Sequence, residues 1–400
     1  MAEDTNNIKL LHITTVPQSL AFLHGQIGYM KARDIDVQAL ASPGELLASF
    51  AQREQIKVHP IEMPRRITPL QDIIAIIRLL LVLWRVRPHI VHAHTPKGGL
   101  LGMIAAWLAR VPIRIYQIHG LPLMTATGHK RILLRWSERA ACFCAHQVLC
   151  VSHSIRAVVV AEGLCPAEKI KVLHNGTING IDAKGRFDPS TISPEVRQAT
   201  RTKYGISTHA LVVGFVGRIV RDKGLIELVD AWKVLCEEFP TLHLLIAGPF
   251  EPQDPIPTQT EHILRHTPRI HLAGQVDDIA PLYASMDVLA FPTYREGFGL
   301  AALEASAMNV PVVATRIPGC VEAVQEGVTG KLVPPRDTDA LIDALRAYLM
   351  SPSMRHRHGI AGRERVLRCF QQEAIWAAMY QEYARLLSNH GFVTPAATTP

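Results

Sequence analysis

Two carboxylates stand eight positions apart in Glu296-Gly297-Phe298-Gly299-Leu300-Ala301-Ala302-Leu303-Glu304, with a glycine-flanked turn between them that opens a helix. Glu296 follows the apolar run Val288-Leu289-Ala290-Phe291, which places it on the loop leaving a strand. Gly297 and Gly299 let the backbone approach a ligand closely and aim N–H groups outward at a helix N-terminus, which favours phosphate. Glu304 falls one turn into that helix and faces the same side, a position suited to the paired hydroxyls of a ribose. Upstream, the strand 211–216 ends at Gly217, and Arg218 and Lys223 follow before the next helix. Ligands of open parallel sheets bind beyond the carboxyl ends of the strands, so both cations are placed to receive a leaving diphosphate. Phosphate, ribose and sugar hydroxyls together describe a nucleotide sugar.

These side chains need a scaffold of parallel strands, and the apolar runs supply one. Strands are expected at 8–13, 37–41, 90–93, 113–118, 147–151 and 171–173, alternating with helices at 20–31, 73–84 and 100–109. A second series follows at 211–216, 242–247, 270–272, 288–291, 310–314 and 331–333. Such alternation predicts an α/β fold, each sheet covered by helices on both faces. A chain of 400 residues divides best into two domains, with the hinge in the Gly-rich polar segment 176–185. The expected domains are 1–180 and 195–371, with 391–400 a disordered tail and the proline-rich 249–257 an irregular loop.

The net charge of +7 fits nucleic acid, an anionic membrane or an anionic substrate. Nucleic acid fits least, because no DNA- or RNA-binding motif is present and aromatic residues are only 6% of the chain. The odd count of seven cysteines, irregularly spaced in apolar stretches, reads as free thiols in a reducing compartment. The acidic, polar start Met1-Ala2-Glu3-Asp4 is unlike a secretory signal, so a cytoplasmic protein is expected. The apolar run 73–84 is interrupted by Arg78 and followed by Arg85 and Arg87, too short for a bilayer span of about 20 residues. It reads as a helix packed on the sheet, or as a basic helix resting on the inner leaflet.

The order of Gly217-Arg218, Lys223-Gly224, Ala247-Gly248-Pro249, Gly274-Gln275-Val276-Asp277, the Glu296 to Glu304 motif and Pro318-Gly319-Cys320-Val321-Glu322 resembles the retaining nucleotide-sugar glycosyltransferases of family four. In the first half Val91-His92-Ala93-His94-Thr95-Pro96-Lys97-Gly98-Gly99, Ile118-His119-Gly120 and Val172-Leu173-His174-Asn175-Gly176 fit the same pattern. The resemblance implies the GT-B architecture, two Rossmann-like domains facing a central cleft, with a C-terminal helix at 372–390 crossing back to the first domain. It is greatest to bacterial enzymes that build capsule, exopolysaccharide or lipid-linked glycans.

The resemblance also assigns roles. Arg218 and Lys223 bind the leaving diphosphate, assisted by the N–H groups of Phe298, Gly299 and Leu300; Gly217 allows close approach; Glu304 holds the ribose; and Gln275 and Val276 pass the base. Glu296 positions hydroxyls of the transferred sugar, and in a front-face mechanism the leaving phosphate takes the acceptor proton. His119, at a strand's carboxyl end, is a core histidine on its own reading; the resemblance makes it touch the donor sugar or the leaving phosphate. His92 is expected to be satisfied within the fold, whereas His94 reaches the strand end.

The helix N-terminus at Thr95-Pro96-Lys97-Gly98-Gly99 is an expected anion site for a lipid-linked acceptor's diphosphate, with a merely solvated Lys97 as the alternative. The loop Thr14-Thr15-Val16-Pro17-Gln18-Ser19 lacks the paired glycines common in the family, so Thr15 and Ser19 are read as acceptor contacts beside His94, Lys97 and Gly98. No metal and no cofactor are expected; the co-substrate is a nucleotide sugar, by family resemblance a UDP sugar. Asp277-Asp278 is explained by a helix cap at Asp278. The expected partners are that donor, a lipid-linked saccharide acceptor and the inner-leaflet surface. The alternatives are a nucleotide-sugar epimerase or phosphorylase of the same fold, and a non-catalytic nucleotide-sugar-binding protein.

Overall fold

A computed structural model describes residues 7–393, apart from positions 67 and 253. The chain forms two compact units, one comprising the residues up to Gly180 together with those from Gln372 onward, the other Ile181–Gln371.

The first unit is built on seven strands, β1 (Ile8–Ile13), β2 (Ile35–Ala41), β3 (Lys57–Pro60), β4 (Ile90–His94), β5 (Ile113–Ile118), β6 (Gln147–Cys150) and β7 (Ile170–Lys171). They pair in the order β3-β2-β1-β4-β5-β6-β7, all parallel. Parallel strands sit between two helical layers, so both faces of β1, β4 and β5 are apolar or sealed. On one face Leu11, Ile13, Val91, Ala93 and Tyr116 pack with the helices Pro69–Val86, Pro96–Leu108 and Gly128–Cys144. On the other, Leu10, Ile90, Ile113 and Ile115 pack with Met379, Tyr380 and Tyr383 of the helix Gln372–Asn389. Trp376 of that helix donates from Nε1 to Asn179 Oδ1 at 2.7 Å, tying it to the last segment before the division.

Several first-unit elements differ from expectation for physical reasons. The expected helix 20–31 is broken into a 3-10 helix Pro17–Leu23 and an α-helix Gln26–Lys31. The break falls at Gly25, where the Trp376 ring occupies the space a Cβ would need, 2.6 Å away. The edge strand β3 and the helix Glu45–Glu54 before it lie outside the expected series; Lys57-Val58-His59-Pro60 is largely polar and at most half-buried. The end is partly ordered: Phe392 packs edge-on against His89 at 5.1 Å, while 394–400 lie outside the described residues.

The second unit has six parallel strands, β8 (Leu211–Val216), β9 (Leu242–Ala247), β10 (Ile270–Gly274), β11 (Val288–Phe291), β12 (Val312–Thr315) and β13 (Gly330–Val333). Their order is β10-β9-β8-β11-β12-β13. Strand order reverses between β8 and β11, the point at which loops from neighbouring strands diverge and leave a crevice. Val213, Phe215, Leu244 and Ile246 pack against the helices Leu225–Glu238 and Thr338–Met350 to form its core.

The described cysteines are free thiols; Cys236 and Cys369 are half-buried and the other five buried. Among the described residues, no helix is long and apolar enough to cross a membrane.

Candidate functional site

In the second unit the loops after β8 and β11 are sewn together. Thr293 Oγ1 donates to the Asp222 carbonyl at 3.0 Å, Tyr294 N donates to the same oxygen at 2.8 Å, and Arg295 Nη2 donates to the Asp222 carboxylate at 2.9 Å. A 3-10 turn, Arg221–Lys223, ends at Gly224 with φ of 68°, and a Cβ there would stand 2.0 Å from the Pro292 carbonyl oxygen. Only glycine permits that approach. The result is an ion pair between Lys223 Nζ and Glu296 Oε1, each side chain 15% exposed. Lys223 also lies 5.5 Å from the centre of the Phe291 ring.

Glu296 leads directly into the helix Leu300–Ala307, which starts from Gly299 at φ of 77°. Phe298 is buried, edge-on against Phe370 at 5.4 Å. Glu304, one turn along, accepts a 2.8 Å hydrogen bond at Oε2 from Tyr283 Oη. Burial raises the Glu304 carboxyl pKa, opposed by the Tyr283 hydrogen bond and by the positive charge of Arg186. Arg186 also donates to the Asp277 carbonyl, so it joins the 275–278 loop to the side of Glu304. Nothing in the spacing around the Gly-rich segment marked Arg186 as part of the site.

The other donor-side residues are placed as follows. Gly217 closes β8, its N–H bonded to the Ala247 carbonyl at 2.9 Å. Gln275 is exposed and Val276 half-buried on the loop after β10. Arg218 is exposed and reaches Glu251 at 3.4 Å rather than the Lys223–Glu296 pair. Asp278 does act near a helix start, accepting from Ala280 N at 3.3 Å, although the capping position itself is Ile279.

In the first unit the expected acceptor residues have partners within the fold. Lys97 is not a free cation: its ammonium pairs with Asp72 at 2.6 Å and donates to the Arg66 carbonyl and Thr68 Oγ1. Thr15 is buried, with Oγ1 bonded to Thr95 Oγ1 at 2.8 Å and accepting from Gly98 N at 2.8 Å. Gly98 is likewise buried, and a Cβ there would lie 2.8 Å from Thr15 N. These groups satisfy one another in holding the 14–15 loop on the helix N-terminus. Ser19 remains half-buried within the 3-10 helix.

Both ring nitrogens of His94 are occupied. Nε2 lies 2.9 Å from His12 Nδ1, and Nδ1 lies 3.0 Å from His119 Nε2. His92 stacks on His94 with centroids 4.2 Å apart, and its Nδ1 is bonded to Tyr383 Oη at 2.7 Å. Burial pushes the His12 and His119 pKa values down to about 3 and holds those of His92 and His94 well below the usual imidazole range. Sequence spacing showed His92, His94 and His119; His12, on the neighbouring strand β1 in register with His92, entered only through strand pairing.

His12, His92 and His94 bring one ring nitrogen each within 4.8 Å of one another, the arrangement among the described residues that comes nearest to a metal set. The rings are stacked, however, with planes of His92 and His94 tilted by only 29°. His12 Nδ1 and His94 Nε2 already share a proton at 2.9 Å, whereas a zinc site needs the lone pairs of both nitrogens. The residues as arranged do not fit a bound metal.

Known proteins resemble the chain in sequence and in fold. The sequence profile for "Glycosyl transferases group 1" matches residues 210–351, and that for a "Glycosyl transferase 4-like domain" matches residues 21–176. The chain is 32% identical over 384 residues to the capsular polysaccharide biosynthesis glycosyltransferase CapM of Staphylococcus aureus, covering 96% of this chain and 98% of that protein. It is 27% identical over 284 residues to the UDP-Gal:alpha-D-GlcNAc-diphosphoundecaprenol alpha-1,3-galactosyltransferase of Escherichia coli, covering 70% and 71%. Among solved structures, a glycosyltransferase from Rickettsia africae superposes with a TM-score of 0.79 at 18% identity, over 96% of this chain and 100% of that one. Anabaena HepE in complex with UDP-glucose gives 0.76 at 21% identity, over the same shares. At those identities the likeness is one of fold. By the match to its CapM relative along nearly its whole length, and by two parallel-sheet Rossmann-like domains, the chain belongs to the group 1 glycosyl transferases of GT-B fold.

Proposed function

We propose that this glycosyltransferase moves a hexosyl group, with retention of configuration and without a metal, from a UDP sugar to a lipid-linked saccharide acceptor in bacterial surface-polysaccharide assembly. The Lys223–Glu296 pair at the helix N-terminus carries this reading. A diphosphate entering beside Gly299 competes with the Glu296 carboxylate for the Lys223 ammonium. Lys223, Arg218 and the backbone N–H groups of Phe298, Gly299 and Leu300 then offset the charge that develops as the bond to the anomeric carbon breaks. Glu296, released from Lys223, accepts from hydroxyls of the sugar, and Glu304 from the ribose. In the front-face step the C1–O bond to the leaving phosphate breaks, the acceptor oxygen bonds to C1 on the same face, and the acceptor proton passes to a leaving-phosphate oxygen. UDP as the nucleotide and a lipid diphosphate as the acceptor carrier are taken from the Escherichia coli and Anabaena proteins to which the chain is similar.

The surface of the first unit supports a membrane-bound acceptor. On the helix Pro69–Val86, Leu70, Ile73, Ile77, Leu81 and Trp84 recur at helical spacing and are exposed, while Ala75, Leu79 and Leu83 on the opposite face are buried. The adjacent helices continue the apolar surface with Trp107, then Ile132, Trp136 and Phe143. A cavity of about 550 Å³ opens beside Trp136 and Phe143, lined also by Leu164 and Pro166. Arg78, Arg85, Arg87, Lys130 and Arg135 are exposed on the same helices or at their ends, which matches an anionic leaflet.

The test is to incubate the protein with a panel of nucleotide sugars, with and without a bacterial lipid extract and with and without EDTA, and to measure nucleoside diphosphate release. Release from one UDP sugar, dependent on lipid and insensitive to EDTA, is the expected result. Lipid-independent release or loss with EDTA overturns the acceptor or the metal-free assignment. Binding to phosphatidylglycerol vesicles that exceeds binding to phosphatidylcholine, and that Trp136→Ser with Ile77→Ser abolishes, checks the membrane face.

A further inference from the structure

The cavity beside Trp136 and Phe143 lies wholly within the first unit and has two kinds of wall. Trp136, Ala140, Cys142, Phe143, Leu164 and Pro166 make most of it apolar, while Arg139 and Lys169 stand at it as cations. Its volume of about 550 Å³ falls within the span of about 300–1,000 Å³ usual for ligand sites. Trp136 and Phe143 are 64% and 75% exposed, so the rings that line the cavity are also wet in the free protein. Such a hollow gains from an apolar chain laid in it.

The cations are held in place without being neutralised. Along the helix Gly128–Cys144, Arg131 pairs with the Glu162 carboxylate at 2.5 Å, and Arg135 donates to the Glu162 carbonyl at 2.8 Å. One turn further on, Arg139 meets Gly163 instead, and its Nε donates to the Gly163 carbonyl at 2.8 Å. Gly163 has φ of 61° and leaves room for the guanidinium, since a Cβ there would stand 3.3 Å from Arg139 Nη2. Lys169 Nζ donates to the Phe143 carbonyl at 3.1 Å. Each contact uses one N–H, which leaves both Nη groups of Arg139 and two ammonium protons of Lys169. Among the described residues, no carboxylate forms an ion pair with either cation. The Arg139 guanidinium lies 5.7 Å from the centre of the Trp136 ring, so charge and apolar surface adjoin. Inorganic phosphate would leave the rings in water, and a neutral hydrocarbon would leave the cations unpaired. An anion carrying a hydrocarbon chain satisfies both.

Connectivity fixes which end of the sheet the cavity occupies. The helix Gly128–Cys144 ends just before β6, and residues 163–169 lead into β7, so both flank the amino ends of those strands. Ligands of open parallel sheets bind beyond the carboxyl ends. β6 alone, four residues long, separates the two ends by about 13 Å. A molecule seated here is therefore a resident of this face and not the acceptor whose saccharide reacts.

We propose that this cavity is a lipid site that takes one anionic phospholipid from the leaflet, its phosphate between Arg139 and Lys169 and one acyl chain along Phe143, Leu164 and Trp136. This rests on the reading of the exposed helix faces as membrane-facing, and adds to it a single bound molecule. That lipid fixes where the first unit sits on the leaflet, with Ile132 and Trp136, one turn apart on the same helix, entering the bilayer beside it.

Monomeric dihexanoyl phosphatidylglycerol, kept below its micelle concentration, tests the site on the full chain with no bilayer present. Binding is read from Trp136 fluorescence, taken as the difference between wild type and Trp136→Phe, and its stoichiometry from native mass spectrometry. Saturable binding of one lipid per chain is expected, with dihexanoyl phosphatidylcholine and inorganic phosphate each at least about tenfold weaker. Arg139→Gln with Lys169→Gln is expected to weaken phosphatidylglycerol binding by about 10- to 30-fold, each cation counting for about fivefold. Ala140→Trp, which fills the hollow, is expected to remove binding; should it melt early, the charge variant at half-buried surface positions decides alone. Phosphate or phosphatidylcholine binding as tightly as phosphatidylglycerol, or unchanged affinity in the Arg139/Lys169 variant, overturns the site. A lipid-free dimer that Phe143→Ser breaks overturns it in favour of a second copy of the chain. Sedimentation with phosphatidylglycerol vesicles is read separately. Vesicle binding without a monomeric-lipid site overturns the pocket and keeps the membrane face, whereas monomeric-lipid binding without vesicle binding overturns the leaflet as the source of the lipid.

Discussion

Lys223 and Glu296, 73 positions apart in sequence, meet as an ion pair because Asp222 is bonded to three successive residues of the opposite loop, Thr293, Tyr294 and Arg295. The pair is mostly shielded from water, so each charge depends on the other until a ligand replaces one of them.

Lys223→Met is expected to lower kcat by about 100-fold to 1,000-fold, the usual effect of removing one group that stabilises developing charge. Glu296→Gln keeps the volume but releases Lys223, so its affinity for UDP should rise while turnover falls. Titration calorimetry with UDP, alongside steady-state rates, checks both; weaker UDP binding by Glu296→Gln counts against competition for Lys223.

Glu304 and Tyr283 act on donor binding. Tyr283→Phe removes the 2.8 Å hydrogen bond that orients the Glu304 carboxylate. Donor KM should rise about three- to tenfold in Tyr283→Phe and more in Glu304→Ala, with kcat less affected. A selective loss of kcat in either variant would move Glu304 from binding to chemistry.

Glu138 sets a pH slope unrelated to the site. It is buried on the helix Gly128–Cys144, accepts from Tyr116 Oη at 2.8 Å, and burial raises its pKa from 4.5 to about 7. A raised folded pKa stabilises fully below pH ~4.5, and the contribution is lost as pH climbs through about 7, by on the order of 3 kcal/mol. Glu138→Gln keeps the Tyr116 contact and should be more stable than wild type at pH 8, by urea unfolding.

The buried histidines of the first unit have the opposite sign. His12 and His119 are lowered from 6.5 to about 3 by burial, so their neutral forms stabilise fully above pH ~6.5 and the contribution is lost as pH falls toward 3. His12→Asn, which cannot be protonated, should give a shallower decline in melting temperature between pH 6.5 and 4. An unchanged slope would mean that His12 is protonated in the folded protein.

Every strand but the polar edge strand β3, together with the parallel alternation and the donor-side motif, was legible in the sequence, because those features are local: apolar runs, glycines at turns, and carboxylates at fixed helical spacing. β8, β9 and β11 begin and end where their apolar runs do. The tertiary structure alone decided who partners whom. Lys97 looked like an open cation until Asp72 closed on it, and His94 looked like a strand-end ligand until His12 and His119 took both its nitrogens. Arg186 entered the site through a carbonyl 91 positions away. Hydrogen bonds and ion pairs between distant segments depend on strand order and register, which no local spacing encodes.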